Sequence, residues 1–255
     1  MNHSKKPRRG ILAVAFVAMF LVAVASLLAA SPSARRAGKQ MRAAQALLLT
    51  PVAGPALEPD KGRFRILVNG QQVGKEEFEI AASGDKWVAR GTAEVQSGQT
   101  NTHVTGTLEL RSDGTPLRYE WSTQGPKKAS AAVVFDGTTA TIELHMESRQ
   151  PFTQQLTFSS PRIAILDNNL NYQYAILAKL YDWSKKGPQT FPVLVPQELT
   201  PGTATVESMG KQNSGGKSLE ELRVRTEDNE IDVYLDGARL VRIAVPGANA
   251  EIVRE

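Results

Sequence analysis

The stretch HVTGTLELRSDGTPLRYEWS, residues 103–122, decides the fold class of this chain. Apolar and polar residues alternate on both sides of Asp113-Gly114, with Leu108 and Leu110 before the pair and Tyr119 and Trp121 after it. Alternation with a period of two is typical of a strand that buries one face. Asp-Gly is a preferred turn between hairpin strands. The stretch therefore predicts two antiparallel strands joined by a tight turn.

The same pattern extends through most of the chain. Further alternating runs cover 63–68 and 141–146, and after residue 188 strands are predicted at 191–195, 203–208, 219–226, 230–235, 239–245 and 251–254. Further turn signals lie at 69–70, 83–85, 97–98, 125–126, 136–137 and 236–237. Strands of about 8–12 residues are longer than average, and long consecutive hairpins twist and curl. A large curled antiparallel sheet is therefore expected.

One segment departs from this pattern and predicts a helix near 168–184. Asp167-Asn168-Asn169 offers N-cap candidates, and apolar side chains follow at helical spacing until Gly187-Pro188. A helix this apolar needs cover on more than one side. The predicted fold class is mainly β: a large curled antiparallel β-sheet (half-barrel) wrapped around one central α-helix, preceded by a single transmembrane or signal helix.

The N-terminus predicts membrane targeting. Residues 11–30 read ILAVAFVAMFLVAVASLLAA, without a charge, and twenty helical residues span about 30 Å, the thickness of the hydrocarbon layer. The length favours an uncleaved signal anchor, and a cleaved signal peptide remains the alternative. The predicted organisation is the anchor or signal peptide at 1–30, a linker at 31–62 in which 34–49 can form a short helix, and an antiparallel β domain at 63–255. The domain is expected on the periplasmic or extracytoplasmic side of the inner (cytoplasmic) membrane, single-pass, or secreted after cleavage.

Charge and composition exclude several classes of function. The net charge of +4 comes from the N-terminal region, since residues 62–255 hold 21 basic and 24 acidic side chains. A domain with a net charge of −3 has no general attraction for nucleic acid, so no nucleic-acid partner is expected. The chain has no cysteine, which excludes disulfides and thiolate metal sites.

The sequence contains no recognisable catalytic constellation, so a non-enzymatic protein without a cofactor or a metal is predicted. No H-E-x-x-H, G-x-S-x-G or P-loop spacing is present. His103 and His145 fall on the polar sides of their strands. A hydrolase would need a carboxylate pair, and the candidates are Glu77 with Glu79 and Glu230 with Asp232, which are interpreted as solvated sheet residues.

Aromatic side chains cluster around the predicted helix. The candidate ligand-binding residues are Tyr172, Tyr174, Leu177, Tyr181 and Trp183. Tyrosine and tryptophan combine an apolar body with a polar tip, which suits the wall of a pocket. The alternative is that these side chains fill the core between helix and sheet.

The chain resembles the lipoprotein-carrier half-barrel superfamily, which includes bacterial lipoprotein-localisation carriers and exported families of unknown function. The resemblance rests on RFRILVNG at 63–70, Val73-Gly74, the helical segment 171–183 and the closing strands around 231–235 and 240–243. It implies a concave face that holds acyl chains or other hydrophobic ligands, and it carries over no functional residue.

Two functions are therefore expected as alternatives. The first is a membrane-tethered, non-catalytic domain that binds a hydrophobic or lipidic ligand in its concave face. The second is a structural or scaffolding domain of the cell envelope, with a filled core and a protein partner. A hydrolase acting through the carboxylates named above is a third, weaker hypothesis.

Overall fold

The computed structural model describes residues 57–185, 187–214 and 216–255. The predicted anchor at 11–30 and the short helix at 34–49 lie outside these ranges. The protein is mainly β: 65% of the described residues lie in strands, the strands form one large sheet that does not close, and the described ranges hold a single α-helix. Within the same ranges no helix has the length and apolarity needed to cross a membrane.

The strands follow the predicted hairpins closely. They are β1 (Asp60–Val68), β2 (Gln71–Ser83), β3 (Lys86–Ser97), β4 (Thr100–Leu110), β5 (Pro116–Gln124), β6 (Ala129–Asp136), β7 (Thr139–Met146), β8 (Phe152–Thr157), β9 (Ala164–Ile165), β10 (Gln189–Val195), β11 (Thr200–Ser214), β12 (Lys217–Arg225), β13 (Glu230–Asp236), β14 (Arg239–Val245) and β15 (Ala250–Arg254). β1 begins inside the predicted linker, and β8 and β9 were not predicted. A single 3-10 turn, Pro246–Ala248, joins β14 to β15.

The sheet consists of two meanders, and the strands nearest the two ends of the described chain lie side by side in its middle. Its order is β8-β7-β6-β5-β4-β3-β2-β1-β15-β14-β13-β12-β11-β10-β9, so the first and last described strands are neighbours. β1 pairs antiparallel with β15, with Phe64 opposite Arg254 and Ile66 opposite Ile252. Every neighbouring pair is antiparallel except β9 with β10. The two halves of the sheet are therefore joined by a contact between residues almost two hundred positions apart in the chain.

The predicted single helix exists, but its predicted bounds of 168–184 are wrong. The helix α1 spans Gln173–Leu180 and is preceded by Tyr172 as N-cap, without a side-chain cap. Asp167 does not cap it, because its carboxylate bonds inside the protein instead. At the other end the backbone of Tyr181 is extended, and the Arg162 guanidinium donates to the Leu180 carbonyl at 2.7 Å.

The helix is buried against strands from both halves of the sheet. Phe64 of β1 stacks on Phe78 of β2 at 4.9 Å between ring centroids, and Phe78 stacks on Tyr172 at 6.3 Å. On the far side, the Ser208 amide of β11 donates to the Tyr181 hydroxyl at 3.3 Å. Contact with strands so far apart in the sheet order requires the sheet to bend around the helix.

The seam between β1 and β15 is held by an ion pair at its rim. The Arg254 guanidinium donates to both carboxylate oxygens of Asp60 at 2.7 and 2.9 Å, and the two side chains are only 10% and 16% exposed. Arg254 also lies over the Phe78 ring at 5.2 Å from its centroid. Charged groups so little exposed lose more when one partner is removed than surface pairs do.

We expect Asp60→Asn to lower the free energy of unfolding by about 2 kcal/mol, because it removes the charge from two hydrogen bonds to a guanidinium. Guanidinium-induced unfolding of the full chain in detergent measures this. Glu79→Gln is the matched control, since Glu79 forms an exposed pair with Lys61 at 3.8 Å and should change stability by well under 1 kcal/mol. Equal losses of unfolding free energy in the two variants would show that the Asp60–Arg254 pair stabilises the fold no more than an exposed ion pair does.

Candidate functional site

The five predicted ligand-binding residues surround the helix, mostly inside the core. Tyr172, Leu177 and Tyr181 are at most 2% exposed, Tyr174 is half-buried, and Trp183 is 38% exposed. Tyr172, Leu177 and Tyr181 therefore pack within the filled space between helix and sheet. A ligand contact by any of the five stays a prediction.

Trp183 packs against the C-terminal end of the helix. Its ring meets Tyr181 edge to face at 5.1 Å between centroids, and its indole N–H donates to the Ala178 carbonyl at 3.3 Å. The Tyr181 hydroxyl donates in turn to the Gly187 carbonyl at 3.0 Å. Trp183 is thus fixed at a half-exposed position, with its outer face available to a solute.

A pair of glycines makes room for the segment that precedes the helix. Gly91 of β3 lies directly opposite Gly106 of β4 in the register. A Cβ on Gly91 would overlap the Tyr172 ring, and a Cβ on Gly106 would overlap the Leu170 side chain. Glycine is needed here for the close approach of side chains to the sheet, since neither residue has a positive φ. The lead segment, residues 166–172, is therefore seated directly on the sheet backbone.

The Glu76 carboxylate, on β2, forms hydrogen bonds with the end of the lead segment. Its carboxylate accepts hydrogen bonds from the Asn171 amide at 2.8 Å, the Asn171 side chain at 2.9 Å and the Tyr172 amide at 2.9 Å. The side chain is fully buried, and burial raises its pKa to about 7 despite these hydrogen bonds. No cation pairs with it among the described residues, so the charged form is costly and the backbone donors are its main stabilisation.

Asp167 is the second buried carboxylate of this region. It accepts hydrogen bonds from the Tyr119 hydroxyl at 2.8 Å, the Gln197 side chain at 2.7 Å and the Asn169 amide at 3.0 Å. Burial raises the pKa of Asp167, and burial beside Asp167 raises the pKa of the Tyr119 hydroxyl. The Gln173 side chain accepts from the Asp167 amide. Asp167, Tyr119 and Gln173 are buried, so this cluster positions the start of the helix.

Sequence reasoning missed the role of Glu76, although a signal was present. Glu76, Phe78 and Ile80 alternate in β2 and all three are buried, so the period of two places Glu76 on the inner face. The exposed neighbours Glu77 and Glu79 pair with Arg63 and Lys61 across β1, as expected of solvated sheet residues.

Four further polar residues were predicted to lie on solvated faces, and the prediction is confirmed for three of them and wrong for one. Glu230 is half exposed, as are His103 and His145, which confirms their placement on solvated faces. Asp232 was interpreted in the same way and is buried. The reason is the Arg223 side chain, whose Nε donates to Asp232 at 2.8 Å and covers it.

A groove runs along the exposed side of the helix. The helix contributes Ala175, Ala178 and Lys179, and the turn between β13 and β14, residues 236–239, forms the opposite wall. Two cavities of about 360 and 270 Å³ lie along it and share Lys179 and Ala238. We call this feature the rim groove.

The two ends of the rim groove differ in polarity. The larger cavity is lined by Glu58, Asp60 and Arg239 above the apolar Leu57 and Ile80. The smaller one is lined mainly by apolar atoms from Ala178, Leu235 and Trp183. A solute with a polar end and an apolar end matches this division.

No group of three or more histidine, aspartate or glutamate side chains in the described ranges is placed to hold a metal ion. Comparisons with protein-family models, with curated proteins and with solved structures found no match for this chain.

Proposed function

We propose that this protein is a membrane-tethered, extracytoplasmic β domain that binds a hydrophobic or lipidic ligand without catalysis. The signal anchor predicted at 11–30 would hold it to the inner membrane, and the half-barrel resemblance supplies the expectation of a hydrophobic ligand. The concave face is occupied by Leu170, Tyr172 and the helix, which supports placing the proposed ligand site in the rim groove.

Support for this site comes from its lining and its position. The smaller cavity is lined mainly by apolar atoms and offers burial to methylene groups, and burying one methylene stabilises a complex by about 0.8 kcal/mol. Leu57, the first described residue, lines the same groove. The linker from the predicted anchor therefore joins the domain beside the proposed ligand site.

The experiment is lipid mass spectrometry of the full chain purified in detergent from the membrane. We expect lipid to co-purify with the wild-type protein and to fall at least about fivefold in Ala238→Trp, since a bulky side chain blocks the groove and removes apolar contacts. Ala238 is exposed and lies in a turn, so the substitution fills the groove without disturbing the core.

Thr138→Trp is the matched control, because Thr138 also follows an Asp-Gly pair in a hairpin turn but does not line the groove. It should keep the lipid. An equal loss in both variants, or a wild-type protein that carries no lipid and binds no fluorescent fatty-acid probe, would contradict the proposal.

A structural or scaffolding role in the envelope is the second candidate, and the filled concave face favours it. Tyr119, Leu170 and Tyr172 are fully buried on that face, so core side chains occupy it. Crosslinking of the full chain in its native membrane would recover a defined protein partner if this role is right. Recovery of lipid and of no protein would favour the first candidate.

A further inference from the structure

Among the described residues, the cationic side chains that line the rim groove have no ion-pair partner, whereas most of its acidic side chains have one. Lys179 lines both cavities and Arg239 lines the larger one. Neither side chain forms an ion pair or a side-chain hydrogen bond with any residue that the structure describes. Lys179 is half-buried on the helix, which holds its charge at the groove.

Most of the acidic residues that line the groove form ion pairs with basic residues that do not line it. Asp60 is bound by Arg254 at 2.7 Å, Asp236 lies 3.9 Å from Lys217, and Glu220 lies 3.8 Å from Lys211. Glu58, which is exposed at the mouth, is the one lining acid without an ion-pair partner in the described ranges. The groove thus presents two unpaired cations against one unpaired anion.

We propose, on the basis of the proposed function, that the ligand of the rim groove is an amphiphile with an anionic head, namely an acidic membrane lipid. The head lies in the larger cavity, where Lys179 and Arg239 bind its phosphate. The acyl chain runs along the smaller cavity against Ala178 and Leu235, with Trp183 at its end. Charge-assisted hydrogen bonds from an ammonium and a guanidinium recognise a phosphate, and the guanidinium does so bidentately.

The test uses the full chain in phosphatidylcholine nanodiscs. Two photoactivatable probes with the same acyl chain, lysophosphatidic acid and lysophosphatidylcholine, are crosslinked and the labelled peptides are mapped by mass spectrometry. We expect the anionic probe to label the helix and the β13–β14 turn about tenfold more strongly, since two charged contacts at partly exposed sites contribute about that much.

Charge removal provides the second arm. Lys179→Gln combined with Arg239→Gln should lower labelling by the anionic probe about tenfold, or about 1.4 kcal/mol. Labelling by the zwitterionic probe should change much less, because its choline offsets the charge of its phosphate. Lys127→Gln with Lys128→Gln is the matched control, because both lysines are exposed in the β5–β6 turn and away from the groove. Glycerol 3-phosphate carries the charge without the chain and should compete poorly.

Each outcome decides a different claim. Equal groove labelling by both probes would overturn the anionic head and leave the hydrophobic ligand standing. Effective competition by glycerol 3-phosphate would overturn the amphiphile in favour of a free phosphate ester. No groove labelling by either probe would overturn both this inference and the proposed function.

Discussion

Replacing Gly91 with alanine is expected to lower the free energy of unfolding by about 3 kcal/mol, because overfilling a packed core displaces side chains and backbone. The new methyl group would overlap the Tyr172 ring and touch Leu170. Tyr172 cannot retreat, since its amide is bound to Glu76 at 2.9 Å and its ring is stacked on Phe78. Guanidinium-induced unfolding, followed by tryptophan fluorescence of the full chain in detergent, measures the loss.

Gly202→Ala is the matched control for this prediction. Gly202 also lies within a strand, β11, but a Cβ there meets only the Val193 carbonyl at 3.9 Å. Alanine at that position should leave stability unchanged or raise it by about 0.5 kcal/mol, since glycine is entropically costly in a strand. A Gly91→Ala protein as stable as Gly202→Ala would show that the lead segment is not seated on the sheet.

The second large effect is a dependence of stability on pH that originates in Glu76. Its pKa is about 7 in the folded protein against an ordinary 4.5, so the folded state binds the proton more tightly than the unfolded state. The stabilisation is therefore present at low pH and is lost as the pH rises through 7. Between pH 5 and pH 8 the free energy of unfolding should fall by roughly 2–3 kcal/mol from this group.

The measurement compares unfolding free energies at pH 5 and pH 8 in the wild type and in Glu76→Gln, which keeps the side-chain size and removes the titration. The difference between the two pH values should shrink by roughly 2–3 kcal/mol in the variant. A residual fall of the same sign is expected from Asp167, whose pKa is also raised by burial. Glu77→Gln, at an exposed neighbour, should leave the difference unchanged, and an equal change in both variants would refute the assignment to Glu76.

The strands were predictable from the sequence because their signal is local. Alternation sets one face of each strand toward the core, and Asp-Gly and Asn-Gly pairs mark the turns. β8 was missed because only Phe152 and Leu156 interrupt its polar residues, and Phe152 is 45% exposed. β9 has two residues and exists through its pairing with β10, a contact that a local pattern does not contain.

The features of the site that depend on long-range contacts could not be predicted, because a local sequence pattern does not contain such contacts. The pairing of β1 with β15 and the Asp60–Arg254 contact join residues from opposite ends of the domain. The helix start moved from the predicted Asn168 region to Gln173 because Asp167 bonds with Tyr119 and Gln197, both distant in sequence. The rim groove is lined by residues of the helix and of the β13–β14 turn, which only the fold brings together.

A crystal structure of the full chain with bound lysophosphatidic acid tests the central claim most directly. The account predicts an acyl chain in the rim groove beside Ala178 and Leu235, its phosphate at Lys179 and Arg239, and Tyr172 still seated on Gly91. An acyl chain between the helix and the sheet, with Tyr172 displaced from Gly91, would contradict it.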